Sequence, residues 1–339
     1  MSSRLATTLA ATLATLCATQ ALAGTETYTN PLLPSGADPW VIRHDGFYYY
    51  TNTLGNRIAL WKTADMARLG QAKPVVVWRP PASGPGSTSI WAPELHYIDG
   101  AWYLYYTGAE KGHDDDAHRH IYVLENTAAD PTRGHWVSKG QVNATLPGID
   151  ATVFQLHRRW YFVYSAYVDD HSDLILARMK NPWTLTGPQV DIAHPTKPWE
   201  MYGGRKIMEA PEFLKGPGDK VFLTYSASAC WSDHYALGML SAKAGADLTH
   251  ASAWHKSAQP VFQQDPAHGV YATGHNAFFK SPDGSQDWIL YHANGGPNWK
   301  CTDRRAPRMQ PFHWNADGTP DFGQPIRDGV PHPAPSKGS

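Results

Sequence analysis

Five times along the chain an aromatic-rich apolar run of strand length follows a short polar turn. The runs are Asp45-Gly-Phe-Tyr-Tyr-Tyr-Thr, Asp99-Gly-Ala-Trp-Tyr-Leu-Tyr-Tyr-Thr, His157-Arg-Arg-Trp-Tyr-Phe-Val-Tyr-Ser, Gly218-Asp-Lys-Val-Phe-Leu-Thr-Tyr-Ser and Gln286-Asp-Trp-Ile-Leu-Tyr-His. Their first residues lie 54, 58, 61 and 68 positions apart, too far for a solenoid repeat but suited to one four-stranded antiparallel sheet per unit. A second apolar run follows the first four after a loop of variable length: Ile58-Ala-Leu-Trp-Lys-Thr, Ile121-Tyr-Val-Leu-Glu-Asn, Leu174-Ile-Leu-Ala-Arg-Met and Ala236-Leu-Gly-Met-Leu-Ser. It reads as the third strand of each unit, and Trp78, Trp136 and Trp254 mark outer strands. Asp130-Pro131 and Asn181-Pro182 punctuate the loops, because proline fixes φ and cannot continue a ladder. Helical periodicity is nearly absent. The pattern predicts an all-β protein, a five-bladed β-propeller with four-stranded antiparallel blades, as one domain over residues 24–327.

The two ends read differently. Arg4, the small apolar stretch Leu5 to Leu16 and the Ala21-Leu22-Ala23 site predict a secretory signal peptide over residues 1–23, cleaved after Ala23, and hence a secreted or periplasmic protein with no membrane anchor. Thr27 to Leu33 is placed to supply the outermost strand of the last blade and close the ring. Residues 328–339, rich in Pro, Gly and Ser, are expected to form a flexible tail.

Composition narrows the partners. A net charge of −1 with 17% charged residues offers no electrostatic footprint for nucleic acid or an anionic membrane. Trp 14, Tyr 17 and Phe 10 supply both propeller packing and faces on which neutral, hydroxyl-rich ligands stack. Cys230 and Cys301, the two cysteines left after processing, fall in loops behind the fourth and fifth aromatic strands and are candidates for a disulfide or for two free thiols. A monomer is expected.

A short segment precedes each aromatic strand: Ala37-Asp38-Pro39, Trp91-Ala92-Pro93, Ile149-Asp150-Ala151, Met208-Glu209-Ala210-Pro211 and Gly274-His275-Asn276. In a propeller the first strand of each blade lines the central channel, so Asp38, Asp150, Glu209 and His275 converge on one axis. Like charges brought together resist ionisation, and burial penalises each of them, so such a cluster points to chemistry more than to stability. Glu94 and Glu212 are the rival carboxylates. Glu212 is three residues beyond Glu209, an odd separation that turns it to the opposite face of a strand, and Ala92 rather than Glu94 holds the aligned position.

Glycoside hydrolysis needs one carboxylic acid to protonate the departing oxygen and one carboxylate to activate water or attack carbon. On these motifs the chain resembles glycoside hydrolase family 43, from about Asn30 to Gly323, and within it the exo-acting α-L-arabinofuranosidases. The resemblance implies Asp38 as general base, Glu209 as general acid and Asp150 as the carboxylate that orients the acid and raises its pKa. It further implies substrate contacts from Trp91, as a wall of the sugar pocket, and from Arg305 and His275, with Glu94 as a supporting or subsite residue. The implied reaction is release of terminal arabinofuranosyl residues from arabinan or arabinoxylan with inversion, with an arabinose- or xylose-containing polysaccharide as partner. No cofactor is required, and a structural or water-mediated calcium at His275 is the one metal the resemblance allows, although a lone histidine is a poor calcium ligand. A β-xylosidase or endo-arabinanase on the same scaffold is the alternative within the family, and a propeller lectin the alternative outside it. His113-Asp-Asp-Asp-Ala-His118-Arg-His120 lacks calcium or zinc spacing and reads as a solvated loop near the mouth.

Overall fold

The computed structural model describes residues 26–338, so the signal sequence read at 1–23 lies outside the described residues. After a short strand β1 (Thr27–Tyr28) come five four-stranded antiparallel sheets in sequence order. The first holds β2 (Trp40–His44), β3 (Phe47–Thr51), β4 (Ile58–Thr63) and β5 (Val75–Trp78), and the second β6 (Thr88–Ile98), β7 (Ala101–Ala109), β8 (His120–Asn126) and β9 (Val137–Gln141). The third holds β10 (Gly148–Leu156), β11 (Arg159–Val168), β12 (His171–Asn181) and β13 (Thr184–Ala193). The fourth holds β14 (Met208–Lys215), β15 (Lys220–Ala227), β16 (Ala236–Lys243) and β17 (His255–Lys256). The fifth holds β18 (Tyr271–Lys280), β19 (Asp287–Asn294), β20 (Ala306–Trp314) and β21 (Pro320–Asp321), and β22 (His332–Pro333) follows it. The first strands β2, β6, β10, β14 and β18 each touch the next, and β18 touches β2, closing a five-bladed propeller.

The aromatic runs are the second strands, and their composition follows from burial on both faces. Tyr48 and Tyr50 pack with Phe279, Trp288 and Leu290 of the fifth blade, whereas Tyr49 between them packs with Leu95, Trp102 and Leu104 of the second. The same alternation recurs in β11, where Phe162 and Tyr164 face the second blade and Tyr161 and Val163 the fourth. A strand covered on both sides has no polar face to offer, so alternation gives way to a continuous apolar run. Each large aromatic removed from water contributes roughly 25 cal/mol per Å² of apolar surface buried.

Ring closure differs from expectation. Thr27 and Tyr28 do not extend the last blade: β1 pairs with β22, while β21 supplies the fourth strand. β21 covers β20 only at His313 and Trp314, which leaves the stretch around Met309 needing partners. The N-terminal segment provides them. Asn30 Nδ2 donates to Met309 O at 3.0 Å, Asn30 Oδ1 accepts from Met309 N at 3.0 Å, and Leu32 N donates to Pro307 O at 2.8 Å. Residues after Arg327 also carry specific contacts: besides β22, Ser336 Oγ donates to Asp283 Oδ2 at 2.6 Å, and Lys337 pairs with Glu26 and Asp65. Among the described residues no helix is long and apolar enough to cross a membrane.

Candidate active site

The centre of the ring is built on one repeated backbone device. Asp38, Ala92, Asp150, Ala210 and His275 all adopt positive φ, between 41° and 57°. Asp and His tolerate this region better than alanine does, and such strain persists only where the surroundings enforce it. Four of the five sit inside a break in register, because ladder pairing skips from Trp91 to Glu94, from Ile149 to Thr152, from Glu209 to Glu212 and from Gly274 to Ala277. The kinked N–H groups are held by the preceding blade. Thr53 Oγ1 accepts from Ala92 N at 2.7 Å, Thr107 Oγ1 from Asp150 N at 3.1 Å, Ser226 Oγ from His275 N at 2.7 Å, and His292 Nδ1 from Asp38 N at 3.0 Å. The Ala210 N–H instead supports the Asp150 carboxylate.

This geometry shifts one assignment by a residue. In the fourth blade the position equivalent to Asp38 and Asp150 is Ala210, and Glu209 corresponds to Trp91 and Ile149. Ala92-Pro93 and Ala210-Pro211 already carry that alignment in the sequence. Glu209 still reaches the same cavity, of about 380 Å³, whose walls include Asp38, Asp150, Trp91, His275 and Arg305. That size falls in the range of small-molecule pockets.

Within the cavity the carboxyl groups differ in environment. Burial alone would raise Asp38, but the Arg305 guanidinium leads a set of neighbours that holds it well below the usual carboxylate range. Arg305 Nη1 lies 3.3 Å from Asp38 Oδ1, and the Thr53 hydroxyl donates to Oδ2 at 2.6 Å. His292 Nδ1 also approaches Asp38 Oδ1 at 3.5 Å, yet this is no ion pair: that nitrogen accepts the Asp38 N–H, and burial followed by Arg305 holds the ring neutral. His275 Nδ1 sits 3.3 Å from Asp38 and 3.9 Å from Asp150, with its own pKa lowered by burial.

Glu209 is pushed up to about 7, first by burial and then by the charge of Asp38, against the pull of a hydrogen bond from Tyr235 and of Arg305 and Arg205. Asp150 is raised well above its ordinary value by burial, then by Glu209, Asp38 and Glu94. One pocket thus contains a carboxylate held ionised and a neighbouring pair that retains a proton near neutrality. Tyr235 fits beside Glu209 only because residue 274 is glycine: a Cβ there would stand 2.2 Å from Tyr235 Cε1.

The remaining sequence candidates divide. Trp91 forms a wall, with the Arg119 guanidinium 4.5 Å from its ring centre. Arg308, three residues beyond Arg305, is fully buried and bonded to Asp328 at 2.8 and 2.6 Å. Glu94, expected as a supporting or subsite residue, is not on the pocket wall. The bulge at residues 92–93 turns it beneath the pocket, where it bonds His96 Nε2 at 2.9 Å and shares a hydrogen bond with the buried Glu212. His275 Nδ1 faces two carboxylates, and one of them, Asp38, also takes up Arg305 and Thr53. Cys230 and Cys301 are joined by a disulfide with Cα atoms 5.3 Å apart, and both line the cavity. Tyr235, His292, Thr53, Arg205, Tyr167 and Trp231 were not singled out by the sequence. His292 alone carried a signal, as the residue that ends the fifth aromatic run where the others end in Thr or Ser.

Residues 28–320 match the model for glycosyl hydrolases family 43. The chain is 43% identical over 318 residues to an extracellular exo-α-(1→5)-L-arabinofuranosidase of Streptomyces avermitilis, covering 90% of this chain and 65% of that protein. It is 39% identical over 336 residues to α-L-arabinofuranosidase 43 of Humicola insolens, covering 95% and 68%. The chain therefore spans about two thirds of the length of these relatives. Among solved structures, an α-L-arabinofuranosidase from Lactobacillus brevis superposes with a TM-score of 0.84 at 35% identity, over 89% of this chain and 98% of that one. The family model spans nearly the whole propeller and the relatives align along most of its length: the chain belongs to glycosyl hydrolases family 43.

Proposed function

We propose that this chain is an exported α-L-arabinofuranosidase that removes terminal arabinofuranosyl residues from arabinan- or arabinoxylan-type polysaccharide by single displacement. The observation that carries the reading is the split between Asp38, held ionised by Arg305 and Thr53, and Glu209, pushed up to about 7 in the same cavity. Two titratable groups driven apart in this way identify a base and an acid. Asp38 takes a proton from water as the water oxygen bonds to the anomeric carbon. The glycosidic bond breaks, and Glu209 gives its proton to the departing oxygen. Asp150, itself raised well above its ordinary value by burial and then by Glu209, orients the acid from beside it. Trp91 offers the sugar an apolar face, and Arg305 both anchors the base and reaches sugar hydroxyls.

The choice of arabinofuranoside over xyloside rests on the relatives' named activities. Incubation with arabinan, arabinoxylan and xylo-oligosaccharides, followed by proton NMR, tests substrate and stereochemistry together. Arabinose should appear first as the β-anomer, the product of inversion. Asp38→Asn should lower kcat by roughly 10²- to 10⁴-fold while arabinose still binds. Release of xylose alone, a first-formed α-anomer, or binding without hydrolysis by the unaltered protein would each overturn the reading.

A further inference from the structure

A chain of charges crosses the rim of the pocket. The loop of residues 110–119, between β7 and β8 of the second blade, is fastened at one end where Ser89 Oγ donates to Asp114 Oδ2 at 2.7 Å. Arg119 then binds Asp114 Oδ1 at 2.9 Å and Asp116 Oδ1 at 2.7 Å, with its guanidinium over the Trp91 ring. The second oxygen of Asp116 accepts from Arg205 Nη2, on the loop that leads into β14 of the fourth blade. Arg205 in turn lies 5.3 Å from the ring centre of Tyr167, in the third blade. The loop therefore starts in the second blade, passes the third and is tied to the fourth. Trp91, Asp116, Arg119, Tyr167 and Arg205 all line the cavity. On the next side the Cys230–Cys301 disulfide ties the fourth blade to the fifth.

An enzyme that cuts inside a polymer needs a groove open at two ends, whereas one that removes terminal residues needs a pocket closed at one. Here the rim is bridged from the second blade to the fifth. An isolated exposed ion pair would be a weak strap, but Asp116 is held by two arginines, each resting on an aromatic face.

We propose that the Asp116–Arg205 bridge is the wall that confines this site to chain ends, so that single residues are released and internal cleavage is suppressed. The proposal rests on the arabinofuranosidase reading above. Asp116 and Arg205 act as specificity-determining residues, shaping the space for the chain without moving a proton.

The test is product analysis on linear α-1,5-arabinan at early times, with 4-nitrophenyl α-L-arabinofuranoside as a second probe. The unaltered protein should release arabinose first. Asp116→Ala and Arg205→Ala should raise the ratio of arabinobiose and arabinotriose to arabinose by roughly two- to fivefold, the weight of one partly exposed ion pair. Arg205→Lys, which keeps the charge, should stay near the unaltered ratio. This ratio does not depend on overall rate, so a general loss of activity cannot mimic the effect. If Asp116→Ala does not fold, Arg205→Ala decides. Unchanged ratios in the folded alanine variants, or oligosaccharides outweighing arabinose among the first products of the unaltered protein, overturn the wall alone. Failure of the unaltered protein to release arabinose from either probe overturns the activity reading instead.

Discussion

The phenol of Tyr235 donates a hydrogen bond to Glu209 Oε1 at 2.7 Å. The donor is itself buried, and burial together with the Glu209 charge raises the Tyr235 pKa well above its usual value, so the bond persists across the working pH range. It stabilises the charged form of Glu209 and therefore opposes the burial that raises the acid.

Removing that bond should move the pH profile in a definite direction. With Glu209 as the proposed general acid, kcat should fall as pH rises through its pKa, about 7. In Tyr235→Phe the carboxylate loses its donor, its pKa rises, and the alkaline limb of kcat should shift upward by roughly one unit. Profiles of both proteins check this, and a downward shift would show that Tyr235 does not act on the charged form.

Glu212 supplies a test of stability. Its carboxyl is raised well above the ordinary value by burial and then by Glu94, to which it is hydrogen-bonded. A folded-state pKa above the unfolded one contributes stability below the unfolded value and loses it as pH rises toward the folded value. Tm should therefore decline as pH increases above about 5, and Glu212→Gln, which keeps shape and a donor, should flatten that decline. Thermal melts of both proteins across the range decide the matter: equal slopes would mean that Glu212 does not contribute to the pH dependence.

The Cys230–Cys301 bond closes a sequence separation of 71 residues. On the chain-entropy account a loop of that length is stabilised by about 4 kcal/mol. Cys230→Ser with Cys301→Ser should lower Tm by several degrees, and because both residues line the cavity, KM should rise as well. A lower Tm with unaltered KM would assign the bond to the scaffold only.

Blade number and blade content were legible because burial on both faces forces the second strands into aromatic runs such as Tyr48-Tyr49-Tyr50, and that constraint acts locally on composition. The convergence of Asp38, Asp150 and Glu209 was legible because propeller geometry brings equivalent strands to one axis. What was not legible depends on bulges and loops. A bulge inserts an unpaired residue without a fixed sequence signature, which is why Glu209 was aligned one position away from its true equivalent. Tyr235 and Arg205 arrive from loops, where position relative to the axis follows from loop conformation and not from periodicity. The N-terminal segment was placed on the right blade for the wrong contact: it meets β20 largely through the Asn30 side chain and single backbone bonds, not through the expected added strand.

The bond from the Asp38 N–H to His292 spans 254 positions in the sequence. Asp38, the proposed base, stands at the beginning of the first blade, and what fixes its backbone comes from the fifth. Without that contact the chain can have four packed sheets and three carboxylates and still lack a correctly presented Asp38. With that contact required for turnover, the onset of hydrolysis during refolding should report the joining of the two ends, and a chain stopped short of β19 should never turn over substrate.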